Sequence, residues 1–437
     1  MFKALTEGSV KLVGRYLPDP FLFCVILTLV VFGFGLTIGN TPSQMVQFWG
    51  EGFWNLLSFS MQMLLVLVTG HTLAQTQFFK RILSSVAATV HSPGTAIMLT
   101  TFVSALASWI NWGFGLVIGA LLAKEIARKV DKVDYRLLIA SAYSGFIVWH
   151  GGLSSSVSLT VATNDHFAMD MIGVIPTSET IFSAMNLTIV ISLVIAIPIL
   201  NRFMHPEPGR EIVYRPANDA KEEVAVATAN STPADKLENS KLISLVISLI
   251  GFWFIIAYFS RNGFSLNLDI VNFIFLFFAI FLHRTPRRFL QAAANAVKGT
   301  TGIVIQFPFY AGIMGMMVAS GLAAVVSEWF VSVSNETTFP LFAFWSAGIV
   351  NFFVPSGGGQ WAVQAPIMLP AGAELGVDAA KTAIAIAWGD AWTNLIQPFW
   401  ALPALAIAGL GARDIMGYCL IILFVSGAII SLGFLLF

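Results

Sequence analysis

Charged residues are scarce in this sequence. Only 11% of its 437 residues are Asp, Glu, Lys or Arg, against about 25% in an average soluble domain. Hydrophobic residues make up 57% of the chain, and 38 residues are phenylalanine, far more than a water-exposed surface can hide. The composition therefore predicts a multi-span membrane protein and excludes a nucleic-acid binder and a disordered chain.

Cysteine is also scarce. The chain has two cysteines, Cys24 and Cys419, each within an apolar run and without a CxxC or histidine-linked spacing. This excludes a disulfide-stabilised secreted scaffold, and it offers no zinc site. We expect both side chains to behave as small buried hydrophobes.

Apolar runs of about 20 residues, the length that crosses a bilayer, recur along the chain. The uninterrupted runs are 21–39, 53–75, 180–200, 242–260, 268–283, 301–325 and 415–437. Two longer tracts, 137–163 and 382–411, contain polar interruptions and are predicted to be broken helices. Two others, 94–123 and 340–373, have short apolar arms around a glycine-containing centre. We predict that these two form hairpins that enter the membrane and return.

Basic residues test this topology, because cytoplasmic loops collect Lys and Arg. If the N-terminus is cytoplasmic and both hairpins return, every Lys and Arg except Arg261 and Lys381 falls on the cytoplasmic side. The polar stretch 202–241, without apolar periodicity, is then a cytoplasmic linker. The C-terminus is predicted to be periplasmic.

The order of these elements recurs on the two sides of the linker. In chain order the predicted parts are a first repeat (1–201, with scaffold helices 21–75, hairpin 94–123 and broken helix 137–163), the linker (202–241), and an extra crossing helix with a second repeat (242–437, with hairpin 340–373 and broken helix 382–411). The extra helix makes the second series begin on the opposite side. The predicted fold class is an all-α polytopic membrane protein with two inverted-topology repeats, an organisation typical of secondary transporters.

The four interruptions form the candidate binding site, because backbone that leaves a helix inside a bilayer must bind protein, ion, substrate or water. The candidate residues are Asn111, Gly113 and Gly115 at the first hairpin tip; His150, Ser154, Ser155 and Ser156 in the first broken helix; Ser356, Gly357, Gly358 and Gly359 at the second tip; and Asp390, Thr393, Asn394 and Gln397 in the second broken helix. Glycines let backbone approach a ligand, and a helix that begins beyond a tip favours an anion. The alternative is that the interruptions are kinks that serve helix packing.

Asp390 is the carboxylate that lies deep within an apolar span, where an ionisable group is costly and usually functional. It is predicted to bind a coupling cation or to carry a proton; a structural hydrogen bond is the competing interpretation. The oxygens that could bind sodium belong to Asn111, Ser154, Ser356, Asp390 and Asn394. No other cofactor and no catalytic residue is predicted, and His150 is left open between packing and function.

The interruptions contain no Lys or Arg. An anionic substrate would be neutralised by helix ends, amides, hydroxyls and a bound cation instead of a fixed positive side chain. This favours a small monoanion with an apolar tail over a polyanion.

Five segments, read in order, resemble one family: RYLPDPF (15–21), WGEGFWNLLSFSMQM (49–63), INWGFGLVIGA (110–120), VPSGGGQW (354–361) and QPFWALPALAIAGLGARDIMGYC (397–419). They are similar to bacterial short-chain fatty acid transporters, including the one associated with acetoacetate and butyrate catabolism. The resemblance implies an inner-membrane permease that imports short-chain fatty acids. More distantly it implies the ion-transporter superfamily, with scaffold and transport domains, elevator motion and usually dimers. The Ser-Asn-Thr tip signature of dicarboxylate members is absent, since the tips are NWGFG and PSGGG, so sodium coupling and dicarboxylate chemistry cannot be carried over residue by residue.

The leading hypothesis is a cation-coupled carrier for short-chain monocarboxylates that is embedded in the bilayer. The resemblance implies a homodimer. A carrier for another organic anion, such as a dicarboxylate, is the alternative in the same superfamily. An integral membrane enzyme is a second class, although the chain has no Ser-His-Asp order, metal-spaced cluster or nucleotide loop. A channel is a third, but a channel needs a continuous pore, not paired hairpins.

Overall fold

The computed structural model describes residues 20–206, 209–214, 232–298, 300–351, 354–397 and 400–437. Within these ranges the chain is helical and contains no β-strand. Six of the described helices, together with the stretch Tyr135–Val161, are by length and composition able to cross a membrane. The prediction of an all-α, multi-span membrane protein is confirmed.

The helices run through the whole described chain in one series. In order they are α1 (Pro20–Thr37), α2 (Pro42–Gly52), α3 (Leu57–Ala74), α4 (Gln77–Ala88), α5 (Pro93–Ile110), α6 (Trp112–Ala127), α7 (Tyr135–Ser144), α8 (Ser156–Val161), α9 (Met169–Ile172), α10 (Ala184–Phe203), α11 (Pro233–Glu238), α12 (Lys241–Asn262), α13 (Leu268–His283), α14 (Pro286–Val297), α15 (Thr301–Ala319), α16 (Leu322–Val333), α17 (Phe339–Val350), α18 (Gly357–Glu374), α19 (Ala379–Thr393), α20 (Leu402–Ala408) and α21 (Ala412–Leu436). A 3₁₀ segment, Gly145–Gly151, follows α7 and leads towards α8.

Pairs of helices stand where the sequence predicts hairpins, and each pair turns at a polar N-cap residue. Asn111 has an extended backbone (φ −155°), and its side chain accepts a hydrogen bond from the N–H of Phe114 at the start of α6. Ser356 does the same for α18, accepting from the N–H of Gly359. Such side chains accept hydrogen bonds from the backbone N–H groups that a helix start leaves free. The polar residues at the two tips therefore serve as helix caps at the turns.

Two helices of more than ten residues are absent from the sequence prediction. Both α2 and α14 begin with a Thr-Pro pair, Thr41-Pro42 and Thr285-Pro286, in which threonine is the N-cap and proline the first helical residue. They have 11 and 12 residues and stand at matching points of the two series, before α3 and before α15. Because these helices are short and contain polar residues, they do not form apolar runs in the sequence.

The predicted span 301–325 is wrong at its C-terminal end. Helix α15 ends at Ala319, and Gly321 adopts a left-handed backbone (φ +80°) before α16 begins. Glycine adopts this conformation without the cost that a side chain would impose. The last residues of the predicted span therefore belong to α16, which starts at Leu322.

The first helix of each half packs along a helix of the other half. Near the start of α1, the thiol of Cys24 contacts the carbonyl of Gln306 in α15 at 4.0 Å. Just beyond the end of α1, the side-chain amide of Asn40 donates to the carbonyl of Ser320, just beyond the end of α15, at 3.1 Å. The two helices therefore run in the same direction.

Helices α13 and α3 repeat this relationship with the halves exchanged. Gln62, early in α3, donates to the carboxylate of Asp269 at the start of α13 at 2.8 Å. At the other end, Nε2 of His283 lies 2.8 Å from the carbonyl oxygen of Thr72. These two helices also run in the same direction.

Helices α2 and α3 together run against α15. A Cβ placed on Gly52 would lie 2.9 Å from Cα of Gly315, whereas further along α3 the ring of Phe59 lies 5.8 Å from that of Phe307. Gly52 is the last residue of α2, and within α3 Met63 lies with Ile303 of α15 in the wall of one cavity, beyond the contact of Phe59 with Phe307. Residue numbers therefore rise along α3 as they fall along α15, and these equivalent helices of the two halves are antiparallel. An inverted repeat requires this relationship, although the sides of the membrane that the halves face stay a prediction.

Part of the predicted linker 202–241 has defined structure. Helix α10 continues to Phe203, and residue Ile212 pairs with the start of α7: its N–H donates to Asp134 (2.9 Å) and its carbonyl accepts from the N–H of Tyr135 (2.8 Å). At the far end α11 contacts α14 through Asp235 and Arg287, 3.4 Å apart. Residues 207–208 and 215–231 lie outside the described residues.

Candidate substrate site

The first hairpin tip is hydrogen-bonded to the first broken helix. The N–H of Trp112 donates to Oγ of Ser154 (2.9 Å), and the N–H of Leu153 donates to the carbonyl of Trp109 (2.7 Å). The indole of Trp109 donates in turn to the carbonyl of Gly151 (3.0 Å). The polar groups left by both helix interruptions therefore satisfy each other, as a membrane interior requires.

The second tip is tied to the second broken helix in a similar way. The side-chain amide of Asn351, next to the tip, donates to the backbone carbonyl of Asp390 (3.1 Å) and to Oγ1 of Thr393 (2.9 Å). Thr393 donates to the carbonyl of Gly348 (2.9 Å). Thr393, one of the predicted site residues, thus joins α19 to the hairpin.

The two broken helices meet each other at Asn394. Its side-chain oxygen accepts from the indole of Trp149 (3.1 Å), and its backbone carbonyl accepts from the hydroxyl of Tyr143 (2.6 Å). The second broken helix also contacts α10, where the indole of Trp388 donates to the side-chain oxygen of Asn186 (3.0 Å). The four interruptions, distant in sequence, therefore form one cluster.

His150 and Asp390 face each other in this cluster. Nε2 of His150 lies 3.4 Å from Oδ1 of Asp390, and the two side chains are 0% and 1% exposed. The other ring nitrogen of His150 lies 3.1 Å from Oγ of Ser155. Neither Nε2 nor either carboxylate oxygen makes a hydrogen bond of ordinary geometry within the described residues. The pair can exchange a proton or present its free atoms to a ligand.

Each glycine of the second tip lies against a different ring. A Cβ atom on Gly357 would overlap His150, one on Gly358 would overlap Phe59 of α3, and one on Gly359 would overlap Tyr310 of α15. Glycine is required here because the backbone approaches its neighbours too closely for a side chain. The predicted glycine tip is thus a contact between the hairpin, the ionisable pair and the α3–α15 pair.

A small cavity lies where these parts meet. Its volume is about 10 Å³, roughly the room that one water molecule needs. It is lined by Met63, Trp112, Phe146, Trp149, Ser156, Ile303, Phe307, Ser356, Gly357 and Trp400. Two predicted serines therefore face the same space, one from each half of the chain, inside an otherwise apolar and aromatic wall.

Other predicted residues of the first tip have packing contacts. A Cβ on Gly113 would lie 3.0 Å from the carbonyl oxygen of Leu67, and one on Gly115 would overlap Ser108 of the opposite arm. Asn111 donates to the carbonyl of Val66 at 3.5 Å, so it also joins the tip to α3. Gln397 is buried in the second broken helix, at 1% exposure.

The predicted sodium ligands are mostly engaged already. The side-chain oxygens of Asn111, Ser154, Ser356 and Asn394 each accept a hydrogen bond, and only the carboxylate of Asp390 accepts none of ordinary geometry. The described residues contain no group of three His, Cys, Asp or Glu side chains arranged for a metal ion. A sodium ion would therefore depend on Asp390 with amide, hydroxyl and backbone oxygens.

Sequence reasoning missed several polar residues that build this cluster. Asn186, Asn351 and Gln360 are fully buried, and the side-chain oxygens of Asn351 and Gln360 accept no hydrogen bond within the described residues. Each lies in or beside an apolar run, which is the signal that could have found them, because an amide inside a membrane must have a partner. No Lys or Arg is among the buried side chains of the described ranges.

Comparison with known proteins gives full-length matches. The family model described as "Short chain fatty acid transporter" matches residues 1–437. A protein of Escherichia coli (strain K12) is 44% identical over 440 residues, with 100% of both chains covered, and one of Haemophilus influenzae is 43% identical over 449 residues, with 99% of both covered. Both are named "Putative short-chain fatty acid transporter". The crystal structure of the Alcanivorax borkumensis YdaH transporter, described as having an unusual topology, shares the fold: its TM-score is 0.58 over 95% of this chain and 98% of that chain, at 15% identity.

Proposed function

Since the chain belongs to the short-chain fatty acid transporter family, we propose that it imports acetoacetate, butyrate or similar monocarboxylates across the bacterial inner membrane. The observation that carries this proposal is the shared cavity of the four interruptions, with a serine from each half in an apolar wall. Secondary transporters commonly bind their substrates where the interrupted helices of two repeats meet.

The lining of the cavity suits a carboxylate with a short apolar tail, although the walls must move apart to admit it. Ser156 and Ser356 offer hydroxyl donors, and the first N–H groups of α18, at Gly357 and Gly358, lie at the positive end of an 18-residue helix. These donors stabilise one negative charge without a fixed cation. A dicarboxylate would bring a second charge, and no buried Lys or Arg within the described residues would meet it.

We propose that import is coupled to a cation through Asp390. A coupled carrier needs a group that binds the cation together with the substrate. This buried carboxylate has that property, and it reaches the cavity through His150, which lies against Gly357 of the cavity wall. The neighbouring ring nitrogen of His150 favours a proton shared by the pair, because sodium prefers oxygen ligands. Sodium, bound by Asp390 with amide and hydroxyl oxygens, is the alternative.

Alternating access in this proposal is a movement of the hairpins and broken helices against the α3–α15 pair. The support is the packing of Gly358 on Phe59 and of Gly359 on Tyr310, where a surface without side chains can slide. The same proposal includes a cytoplasmic N-terminus and linker, a periplasmic C-terminus, and a homodimer as in the related superfamily.

Purified protein in liposomes tests these proposals. Liposomes that contain a carrier and are loaded with unlabelled butyrate accumulate labelled butyrate by counterflow. An enzyme would convert the labelled butyrate, and a channel would only equilibrate it. Competition with succinate tests the alternative of a dicarboxylate carrier. Uptake measured with the sodium gradient and the pH gradient imposed separately identifies the coupling ion.

A further inference from the structure

The cavity at the hairpin tips has two chemically different walls. The wall formed by the interruptions contains Ser156, Ser356 and Gly357, which bring hydroxyl and backbone donors, among the aromatic side chains of Trp112, Phe146, Trp149 and Trp400. Met63 of α3 with Ile303 and Phe307 of α15 brings only apolar surface. A molecule with one charged end and one hydrocarbon end can satisfy both walls in a single orientation.

We propose that Phe307, supported by Met63 and Ile303, forms the end wall for the acyl chain and sets the longest fatty acid that the protein accepts. This inference rests on the proposed function, because it assumes that a monocarboxylate occupies this cavity. The carboxylate lies towards the serines, because the apolar wall has no donor for it. The hydrocarbon tail then extends towards α3 and α15.

Phe307 is the rigid member of this wall. Its side chain is 1% exposed, and its ring lies 5.8 Å from the ring of Phe59 and 5.9 Å from that of Tyr310. Met63 also lines the cavity, but a methionine has three rotatable bonds and adapts to what it contacts. Extra carbon atoms can therefore displace the side chain of Met63, whereas the ring of Phe307 is buried against the rings of Phe59 and Tyr310.

The size of the cavity makes chain length decisive. A volume of about 10 Å³ holds one water molecule, so the walls must move apart before butyrate enters, and each additional methylene group requires a further movement. In a cavity that accepts them, each buried methylene raises affinity about fourfold. Removal of the Phe307 ring should therefore turn rejection of longer chains into a preference for them.

The experiment uses the full-length protein in liposomes. Uptake of labelled butyrate is inhibited with unlabelled butyrate, hexanoate and octanoate, in wild type and in Phe307→Ala and Phe307→Leu. We expect the affinity for hexanoate relative to butyrate to rise about tenfold in Phe307→Ala, with a smaller rise in Phe307→Leu. Leucine keeps much of the buried volume, so this variant serves if the alanine variant fails to fold.

Phe309→Ala is the matched control. Phe309 lies two residues further along the same helix, and its ring packs on Phe21, Trp49 and Phe53 instead of lining the cavity. Its substitution removes the same group and should leave the hexanoate-to-butyrate ratio unchanged.

The outcomes separate this inference from the proposed function. If both Phe307 variants keep the wild-type ratio, or lose all chain lengths equally, the end wall is elsewhere and the proposed function still stands. The same holds if Phe309→Ala shifts the ratio as much as Phe307→Ala does. If wild-type protein takes up no monocarboxylate at all, both proposals are overturned.

Discussion

Nε2 of His150 lies 3.4 Å from Oδ1 of Asp390, and both side chains are buried. One residue belongs to the 3₁₀ segment of the first half and the other to α19 of the second half. The pair therefore joins the two halves at the point where Gly357 of the second hairpin touches the imidazole. A change in the protonation of either residue would therefore affect contacts of both halves and of the hairpin.

Asp390→Asn should abolish accumulation of butyrate against its gradient. The substitution keeps the shape of the side chain and removes its charge, so neither a proton nor sodium can be bound as before. If the group carries a proton, exchange of labelled for unlabelled butyrate should partly survive. The measurement is gradient-driven uptake and exchange in liposomes, normalised to folded protein.

Asp378→Asn is the control for this experiment. Asp378 is the N-cap of the same helix, α19, and its carboxylate accepts from the N–H of Ala380, a role that asparagine also performs. Coupling should be unchanged in this variant. If Asp390→Asn also accumulates butyrate normally, or only folds less well, Asp390 has a structural role.

Gly358→Val should stop transport while the protein still inserts into the membrane. The new side chain would collide with Phe59 and Met63, so the hairpin could not keep its place against α3. Gly33→Val, in α1, is the control, because a Cβ at Gly33 meets no atom within 4 Å. Normal butyrate uptake by the Gly358 variant would show that this tip does not need close contact with α3.

Single cysteines should test the inverted arrangement. Cys24 and Cys419 are first replaced by alanine, and a cysteine is then introduced at Glu238, in the linker, or at Glu336, before the second hairpin. A membrane-impermeant reagent added to intact cells should label only the Glu336→Cys protein. Labelling of both positions from one side would contradict the proposed topology.

Asp134→Ala should weaken the protein and release the start of the linker. The carboxylate is buried, caps α7 through the N–H of Leu137 and accepts from the N–H of Ile212, so both donors lose their partner. Loss of a cap alone costs about 0.5–2 kcal/mol. We expect a lower unfolding temperature in detergent and faster proteolysis near residue 212.

Asp131→Ala is the comparison for that measurement. Asp131 is exposed in the same connection between α6 and α7, and it should change neither stability nor proteolysis. Equal effects of the two substitutions would mean that the pairing between Asp134 and Ile212 does not hold the linker.

The sequence predicts the apolar spans well, because a bilayer imposes one strong requirement on composition. The sequence-based prediction fails where a helix boundary depends on local features such as a cap or a turn. Helices α2 and α14 have only 11 and 12 residues with mixed polarity, so their threonine caps and first-position prolines were the available signals. The early end of α15 depends on the left-handed backbone of Gly321, which a run of apolar residues does not reveal.

The candidate site shows the same division. His150, Asp390 and the three glycines can be selected from the sequence, because ionisable side chains and consecutive glycines are unusual in apolar spans. Their neighbours cannot be selected in this way. The contact of Gly357 with His150, and that of Phe307 with the serine-lined cavity, depends on how helices from opposite ends of the chain pack.

The packing of α1 on α15 also has a consequence for biosynthesis. The contact of Cys24 with Gln306 joins residues that are 282 positions apart. Ribosomes add about 5–20 residues per second, so roughly 15–55 s pass between the synthesis of one partner and that of the other. During this interval the first helix has left the ribosome without its final neighbour, and lipid or the insertion machinery must occupy the surface that α15 later covers.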